Sequence, residues 1–187
     1  SAVNRVGYDL NRVSFASVPQ GINAVKEFIP VARIADMLLQ PGSPFDYNGG
    51  CYSYPDIQLI YWAGGNPFHH HQDLTRLIQA WQKPQTVISH EWCWNALARH
   101  SDIVLPVTTP VERRDIAMTP LDPYLVSMEA AIEPVGQARD DYDIFTALSE
   151  LMGVEDAFTE GRTSEDWQRW LYEVCLLYTS DAADELR

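Results

Sequence analysis

The chain has 187 residues, of which 13 are basic and 26 acidic, and its formal net charge at pH 7 is -13. Its longest basic cluster is the pair Arg113-Arg114, whereas a nucleic-acid groove needs a basic stripe that releases counterions, so the composition argues against nucleic-acid binding. The chain is 46% hydrophobic but has no uninterrupted apolar run of the roughly 18 residues that a membrane span requires, which predicts one globular unit without a membrane span.

The first part of the chain predicts little regular structure. Residues 1–30 show no sustained hydrophobic period, and we interpret them as a segment that connects to a preceding domain outside this sequence. Residues 31–40 carry apolar side chains at helical spacing and are followed by Pro41-Gly42, which predicts a short amphipathic helix. Residues 41–56 are dense in Gly, Pro, Asn and Asp, which predicts a loop with a turn at 47–50.

The middle of the chain alternates between strand and helix patterns. In order, the patterns predict a strand buried on both faces over 57–63, a helix over 73–81, a strand from 86 to about 91, a helix over 95–100 and a strand over 102–107. Such alternation with short connections predicts an α/β fold with a doubly wound, mostly parallel sheet flanked by helices. A further strand is predicted within 126–132, and helices over 141–152 and 163–174, the last of them capped by Thr163 with Asp166.

The C-terminal residues have an unusual composition. The stretch from Cys175 to Glu185 resembles the conceptual translation of a transposase-type sequencing adaptor. On that interpretation residues 175–187 are a non-native tail and the natural sequence is interrupted at about Val174. The alternative is an ordinary helix end that runs into an acidic tail.

The residues that follow each predicted strand are the candidates for ligand binding, because ligands of open parallel sheets lie beyond the carboxyl ends of the strands. Gly64 and Gly65 follow the first strand and allow close approach of the backbone to an anionic group. His90 and Glu91 follow the second strand, where an acid can accept hydrogen bonds from ribose hydroxyls. The third strand is followed by polar residues that include Thr108, Thr109, Glu112, Arg113 and Asp115.

Each of these residues also has a simpler interpretation. The two glycines can form a tight turn only, Glu91 and Asp115 can be solvated, and Arg113 and Arg114 can pair with surface acids. Residues 69–71 are three consecutive histidines, whose side chains point in different directions and do not easily share one metal ion, so we predict no metal ligand. The tryptophans are expected in the core or at an interface, and Cys93 is expected to be a half-buried, inert thiol. The sequence contains neither GxGxxG, a Walker loop nor a nucleophile elbow.

Several stretches together carry a family resemblance. They are residues 28–39, the run Leu59-Ile-Tyr-Trp-Ala-Gly-Gly-Asn-Pro-Phe-His-His-His-Gln-Asp73, residues 87–91, 98–109 and 112–116, and Asp141-Tyr-Asp-Ile-Phe145. In this order they resemble the dimethyl sulfoxide reductase family of molybdopterin enzymes. The Phe-His-His-His-Gln form is similar to the S-oxide and N-oxide reductase branch, which includes biotin sulfoxide and trimethylamine N-oxide reductases.

The resemblance implies a fold, a cofactor and a set of contacts. Residues 31–174 would be part of a Rossmann-like domain that binds one molybdopterin guanine dinucleotide of a bis(molybdopterin guanine dinucleotide) molybdenum cofactor. The implied cofactor-binding residues are Gly64, Gly65, Asn66, His70, His90, Glu91, Thr109, Arg113, Asp115 and Asp143. Within them, Asn66 and His70 would contact the dinucleotide, and His90 and Glu91 its ribose or guanine end.

The resemblance also implies an activity that this chain does not complete alone. The family reduces small S-oxides or N-oxides by oxygen-atom transfer, with electrons from a donor protein or reductant, and its metal-ligating serine belongs to an earlier region. No catalytic residue is therefore predicted in this sequence, and missing domains of the same chain are its expected partners. The bacterial periplasm and the cytoplasm both remain open.

Two departures from the family pattern loosen the subgroup assignment. Trp92-Cys93-Trp94 stands where Pro-Trp-Trp is usual, and Arg114 where Asn is common. Three alternatives stay open at this point: a fragment of a NAD(P)-type oxidoreductase, a noncatalytic binding module whose histidines serve an interface, and a molybdopterin enzyme with another substrate.

Overall fold

A computed structural model describes residues 17–19, 21–22, 28–119 and 122–184. It divides the chain into two compact units. The first, called the sheet unit below, contains residues 22–107 and 136–141; the second, called the hairpin unit, contains residues 1–21, 108–135 and 142–187. The irregular segment predicted over 1–30 lies mostly outside the described residues, and its described positions have no regular secondary structure.

The sheet unit begins with a short helix and a hairpin. A 3₁₀ turn at Val31–Arg33 leads into α1, Ile34–Leu39, which confirms the predicted amphipathic helix and buries Ala35 and Leu38. Strands β1, Pro44–Tyr47, and β2, Gly50–Ser53, then pair antiparallel.

The loop predicted over 41–56 is therefore wrong, although its turn is confirmed. Asn48 and Gly49 both have positive φ, 47° and 81°, which matches the two-residue turns that suit hairpins. The pairing is supported by aromatic side chains, since the ring of Phe45 stacks on those of Tyr52 and Tyr54 with centroids 5.5 and 4.4 Å apart. These contacts outweigh the loop-forming composition of the segment.

A three-stranded parallel sheet follows, in the order β3-β4-β5. Its elements along the chain are β3, Leu59–Trp62; α2, Pro67–His70; α3, Leu74–Trp81; β4, Thr86–Glu91; α4, Ala96–Arg99; and β5, Ile103–Pro106. The parallel pairing, with Ile60 opposite Val87 and Ile88 opposite Ile103, confirms the α/β prediction. Burial of the first strand on both faces is wrong, because Leu59 is exposed and the other residues of β3 are only half-buried.

The core of the sheet unit fixes the ends of these strands in place. Leu77 of α3 and Leu97 of α4 are fully buried, and they cluster with Leu38, Phe68 and Val87. Asp73 begins α3 by accepting a hydrogen bond from the backbone N–H of Arg76 at 3.0 Å. The one-turn helix α2 was not predicted; it lies in the connection from β3 to α3.

The hairpin unit contains an antiparallel pair and three helices. The pair is β6, Asp115–Thr119, with β7, Asp122–Met128, so the strand predicted within 126–132 is confirmed only at its start and β6 was missed. Helices α5, Asp141–Leu151, and α7, Ser164–Asp184, confirm the two predicted helices, and α6, Glu155–Thr159, was not predicted. Asp141, the first residue of α5, belongs to the sheet unit.

The start of α7 has the predicted capping box. The hydroxyl of Thr163 accepts from the backbone N–H of Asp166 at 3.2 Å, and the Asp166 carboxylate accepts from the N–H of Thr163 at 3.1 Å. The helical backbone continues to Asp184, past the boundary at 175 predicted for a non-native tail. Among the helices that the structure describes, none is long and apolar enough to span a membrane.

Candidate functional site

The first candidate loop follows β3 at the carboxyl edge of the sheet. Gly64 and Gly65 have φ of 77° and 67°, a backbone conformation that side chains with a Cβ rarely adopt. A Cβ on either glycine would meet no atom within 4 Å, so the backbone conformation and not packing requires glycine here. The indole N–H of Trp62 donates to the carbonyl of Gly64 at 2.8 Å and holds the turn. The prediction of a tight turn is confirmed.

Asn66 connects this loop to α2. Its side-chain carbonyl accepts from the backbone N–H of Phe68 at 3.0 Å and caps α2, which has Pro67 in its first turn. Asn66 is 8% exposed, and its amide nitrogen Nδ2 is buried without a hydrogen-bond partner among the described residues. Such an unpaired buried donor is costly, so this atom is poised to donate to a ligand. His70, at the end of α2, is exposed.

Glu91 ends β4, the central strand of the sheet, and is 6% exposed. One carboxylate oxygen, Oε2, accepts from the Asn95 amide at 2.6 Å, whereas Oε1 is buried without a partner among the described residues. Burial raises the pKa of Glu91, while the Asn95 hydrogen bond and the nearby His69 act in the opposite direction. The interpretation of Glu91 as a solvated acid is wrong.

His90, the neighbour of Glu91 on β4, lies in a chain of three hydrogen-bonded side chains. Its Nε2 is 2.7 Å from the hydroxyl of Tyr61, and its Nδ1 is 2.6 Å from the carboxylate of Asp141. Burial, and then the charge of Asp141, raise the pKa of Tyr61, so the phenol keeps its proton. A neutral imidazole that accepts from Tyr61 and donates to Asp141 satisfies both contacts with one tautomer.

The sheet unit therefore brings six predicted residues to one edge of the sheet. Because β3 and β4 are parallel neighbours, their carboxyl ends meet there. The six are Gly64, Gly65, Asn66, His70, His90 and Glu91. Glu91 and Asn66 contribute the two unpaired polar atoms of this set, a carboxyl oxygen that can accept and an amide nitrogen that can donate.

The other four predicted residues lie in the hairpin unit. Arg113 donates to the Thr108 carbonyl at 2.9 Å and pairs with Asp115 at 3.1 Å, and Arg114 pairs with Glu129 and Glu165. Pairing of these arginines with nearby acids, one of the open interpretations, is thus observed. Thr109 is bonded to Glu112, and Asp143 is exposed on α5.

Glu112 organises the loop before β6. Its carboxylate accepts from the hydroxyl and N–H of Thr109 at 2.6 and 2.7 Å and from the N–H of Val135 at 2.8 Å. These hydrogen bonds, the hydroxyl of Thr109 first, lower the pKa of Glu112. Glu112 therefore supports the loop that carries Thr109 and Arg113.

The loop after Glu91 differs from the sequence-based expectation. Trp92 and Trp94 are 67% and 71% exposed, so a core location is wrong for both, although Trp81 is buried as predicted. Cys93 is exposed and not half-buried. Residues 92–94 lie between the end of β4 and the Asn95 cap of α4. They belong to neither a strand nor a helix, so no regular element packs their side chains against the core.

Three residues of the site were missed from the sequence: Tyr61, Asn95 and Asp141. Asn95 was visible only as the first residue of a helix pattern, a position where Asn is favoured as a cap; its bond to Glu91 was not. Asp141 is 51 positions from His90, and no spacing rule connects them. Within the described ranges, no group of three or more His, Cys, Asp or Glu residues is arranged to hold a metal ion.

Comparison with known proteins places the chain in a family. A family model described as molybdopterin oxidoreductase matches residues 47–151. A biotin sulfoxide reductase of Cereibacter sphaeroides is 53% identical over 149 residues, which cover 80% of this chain and 20% of that protein. A trimethylamine-N-oxide reductase of Haemophilus influenzae is 48% identical over 152 residues, which cover 80% of this chain and 18% of that protein.

A solved structure shares the fold. Acetylene hydratase from Pelobacter acetylenicus superposes with a TM-score of 0.50 at 20% sequence identity, over 62% of this chain and 18% of that chain. The chain spans about a fifth of the length of the curated relatives described above. The family match covers more than half of the chain, and the resemblance seen in the sequence is confirmed: this chain belongs to the molybdopterin oxidoreductase family.

Proposed function

We propose that this chain is the part of a molybdenum-dependent S-oxide or N-oxide reductase that binds one molybdopterin guanine dinucleotide. On this proposal the three parallel strands belong to a Rossmann-like, doubly wound layer. The dinucleotide lies across the carboxyl edge of that layer, where ligands of open α/β sheets bind. Support comes from the family membership and from relatives named as biotin sulfoxide and trimethylamine-N-oxide reductases.

The observation that carries the proposal is the unpaired oxygen Oε1 of Glu91. A buried acceptor without a partner costs stability unless a ligand donates to it. The Watson–Crick edge of guanine presents two adjacent donors, N1–H and the exocyclic amine, and either of them can donate to Oε1. Nδ2 of Asn66, also buried and unpaired, is suited to a ribose or phosphate oxygen. The residues present therefore fit a guanine nucleotide.

The remaining candidate contacts are proposed on the resemblance. His70 is exposed beside Asn66, and Thr109, Arg113, Asp115 and Asp143 in the hairpin unit are further proposed contacts. The net charge of -13 does not attract an anionic cofactor over a distance. Binding must therefore depend on local donors such as backbone amides, Asn66 and Arg113.

The activity of the whole enzyme is part of the proposal. The bound molybdenum cofactor supplies the oxygen-atom transfer, and the protein holds and orients it. This chain contributes binding and no catalytic residue, and further domains of the same chain, a small S-oxide or N-oxide and an electron donor complete the reaction. We do not favour the NAD(P)-type alternative, because the loop after β3 has no GxGxxG pattern.

Nucleotide binding to the 187-residue chain tests this proposal. By titration calorimetry we expect GDP to bind more tightly than NAD. We expect Glu91→Gln to weaken GDP binding about tenfold, since a hydrogen bond to a charged group contributes about 1.5–3 kcal/mol. Glu150→Gln, on the exposed surface of α5, is the matched control and leaves binding unchanged. Preference for NAD, or GDP binding that is indifferent to Glu91→Gln, contradicts the proposal.

A further inference from the structure

We propose that Asn95 is the positioning residue of this site: it fixes the orientation of the Glu91 carboxylate and leaves Oε1 as the oxygen that accepts from the guanine. This inference rests on the proposed function, because it assigns the residue through which Glu91 acts. Asn95 itself would not touch the cofactor.

Both polar atoms of the Asn95 side-chain amide form hydrogen bonds. Its carbonyl oxygen accepts from the backbone N–H of Ala98 at 3.1 Å and caps α4, and its nitrogen donates to Oε2 of Glu91 at 2.6 Å. Reversal of the amide would place a donor against the N–H and an acceptor against the carboxylate, so only one orientation satisfies both contacts. A single side chain thereby connects the start of a helix to the acid at the end of β4.

The position of Asn95 is fixed by the core. Leu97 and Ala98, in the single turn of α4, are 0% and 1% exposed, and Leu97 belongs to the core cluster of the sheet unit. The cap ties Asn95 to this turn, and the amide in turn restricts the rotamer of Glu91. A carboxylate held in one orientation binds a ligand with a smaller loss of side-chain entropy than a free one.

The contact also affects the charge of Glu91. Burial opposes ionisation of this acid, and the Asn95 N–H favours it by donating to Oε2. His69 of α2 is the titratable group on another element that acts on Glu91 electrostatically, and it favours ionisation as well. His90 is the adjacent residue on β4 and is bonded to Tyr61 and Asp141. Without Asn95, Glu91 would retain its proton to higher pH and lose its function as an acceptor.

Two substitutions separate positioning from helix capping. Asn95→Asp is nearly isosteric and keeps an oxygen that can cap α4, but it removes the donor and adds a like charge beside Glu91. Asn95→Ser also keeps a capping oxygen and is too short to make the same contact with Oε2. The control is Asp73→Ala, which removes the comparable cap of α3 and touches no acid.

The experiment is the pH dependence of GDP affinity, measured for each purified variant from pH 5 to 8. We expect Asn95→Asp to shift the acid limb of the profile to higher pH by about one unit, so that on the acid side of the limb the affinity falls up to about tenfold below that of the wild type. Asn95→Ser should shift it in the same direction by less. Titration of the GDP phosphates occurs with every variant and cancels in the comparison with wild type.

The controls distinguish failure of this inference from failure of the proposed function. Asp73→Ala should lower the thermal unfolding temperature and leave the profile unchanged. If Glu91→Gln weakens GDP binding but Asn95→Asp and Asn95→Ser keep the wild-type profile, the role of Asn95 is refuted and the proposed function stands. If Glu91→Gln does not weaken GDP binding, the proposed function itself is contradicted, whatever the Asn95 variants show. Should Asn95→Asp not fold, Asn95→Ser alone decides.

Discussion

Glu91, which we propose as a binding residue, shows how burial of an acid reduces the stability of the folded protein. Its carboxylate is buried with one oxygen unpaired, and its pKa is raised, chiefly by burial. The folded state therefore binds this proton more tightly than the unfolded state. Between the ordinary pKa of a glutamate and the raised pKa of Glu91, the contribution of this group to the free energy of unfolding falls as pH rises.

This linkage predicts a measurable difference between the wild type and Glu91→Gln. We expect the stability of the wild type minus that of the variant to decrease with rising pH across this window and to level off above it. Urea denaturation of both proteins at a series of pH values gives this difference, and other titrating groups cancel. A difference that stays constant with pH, or that rises, would show that burial does not raise the pKa of Glu91.

Single-residue features of the site were predictable to different degrees. Gly64, Gly65 and Glu91 were found from the sequence because strand ends and turn glycines have recognisable local patterns. The hydrogen bond between the Asn95 and Glu91 side chains was not predicted, because it depends on the rotamers of both residues, which the sequence does not reveal. The Tyr61–His90–Asp141 chain consists of two hydrogen-bonded pairs whose members are 29 and 51 positions apart in the sequence, and it exists only once the fold is formed.

At the scale of elements, helix α3 has one face in the core and another that is partly exposed. Leu77 is fully buried in the core cluster, whereas Leu74, one turn earlier, is 40% exposed. We expect Leu77→Ala to lower the free energy of unfolding by about 2–5 kcal/mol, because it leaves a cavity in packed surroundings. Leu74→Ala on the same helix should cost less than about 1 kcal/mol.

Chemical denaturation of the two variants compares them directly. Equal losses for Leu77→Ala and Leu74→Ala would mean that the core does not lie on the Leu77 face of α3.

The elements that were predicted correctly are those with a strong local period. Strands β4 and β5 and helices α3, α5 and α7 have continuous apolar runs or helical spacing, and the parallel pairing followed from their alternation. The β1–β2 hairpin was not predicted, and only part of β7 was predicted in the β6–β7 hairpin. In β1 and β2 the composition is typical of a loop, and cross-strand aromatic contacts decide the structure, which a pattern along one strand does not reveal.

At the scale of the whole molecule, the chain has a negative net charge although we propose that it holds an anionic cofactor. The chain covers about a fifth of the length of its curated relatives. On the proposed function it is one part of a larger enzyme, and the surface of such a part need not carry the charge that steers a ligand. The domain boundaries at 31 and 174, and the non-native origin of residues 175–187, stay predictions. Contiguous genomic sequence on both sides of this stretch would test them.

On the proposed function, the carboxyl edge of the β3-β4-β5 sheet binds the guanine end of the cofactor. A titration of the ¹⁵N-labelled 187-residue chain with GDP, followed through backbone amide chemical shifts, tests this directly. We expect the largest shifts in the sheet unit at Gly64, Gly65, Asn66, His90 and Glu91. Shifts concentrated instead at the amino ends of these strands, near Leu59, Thr86 and Ile103, or no saturable shifts at all, would contradict it.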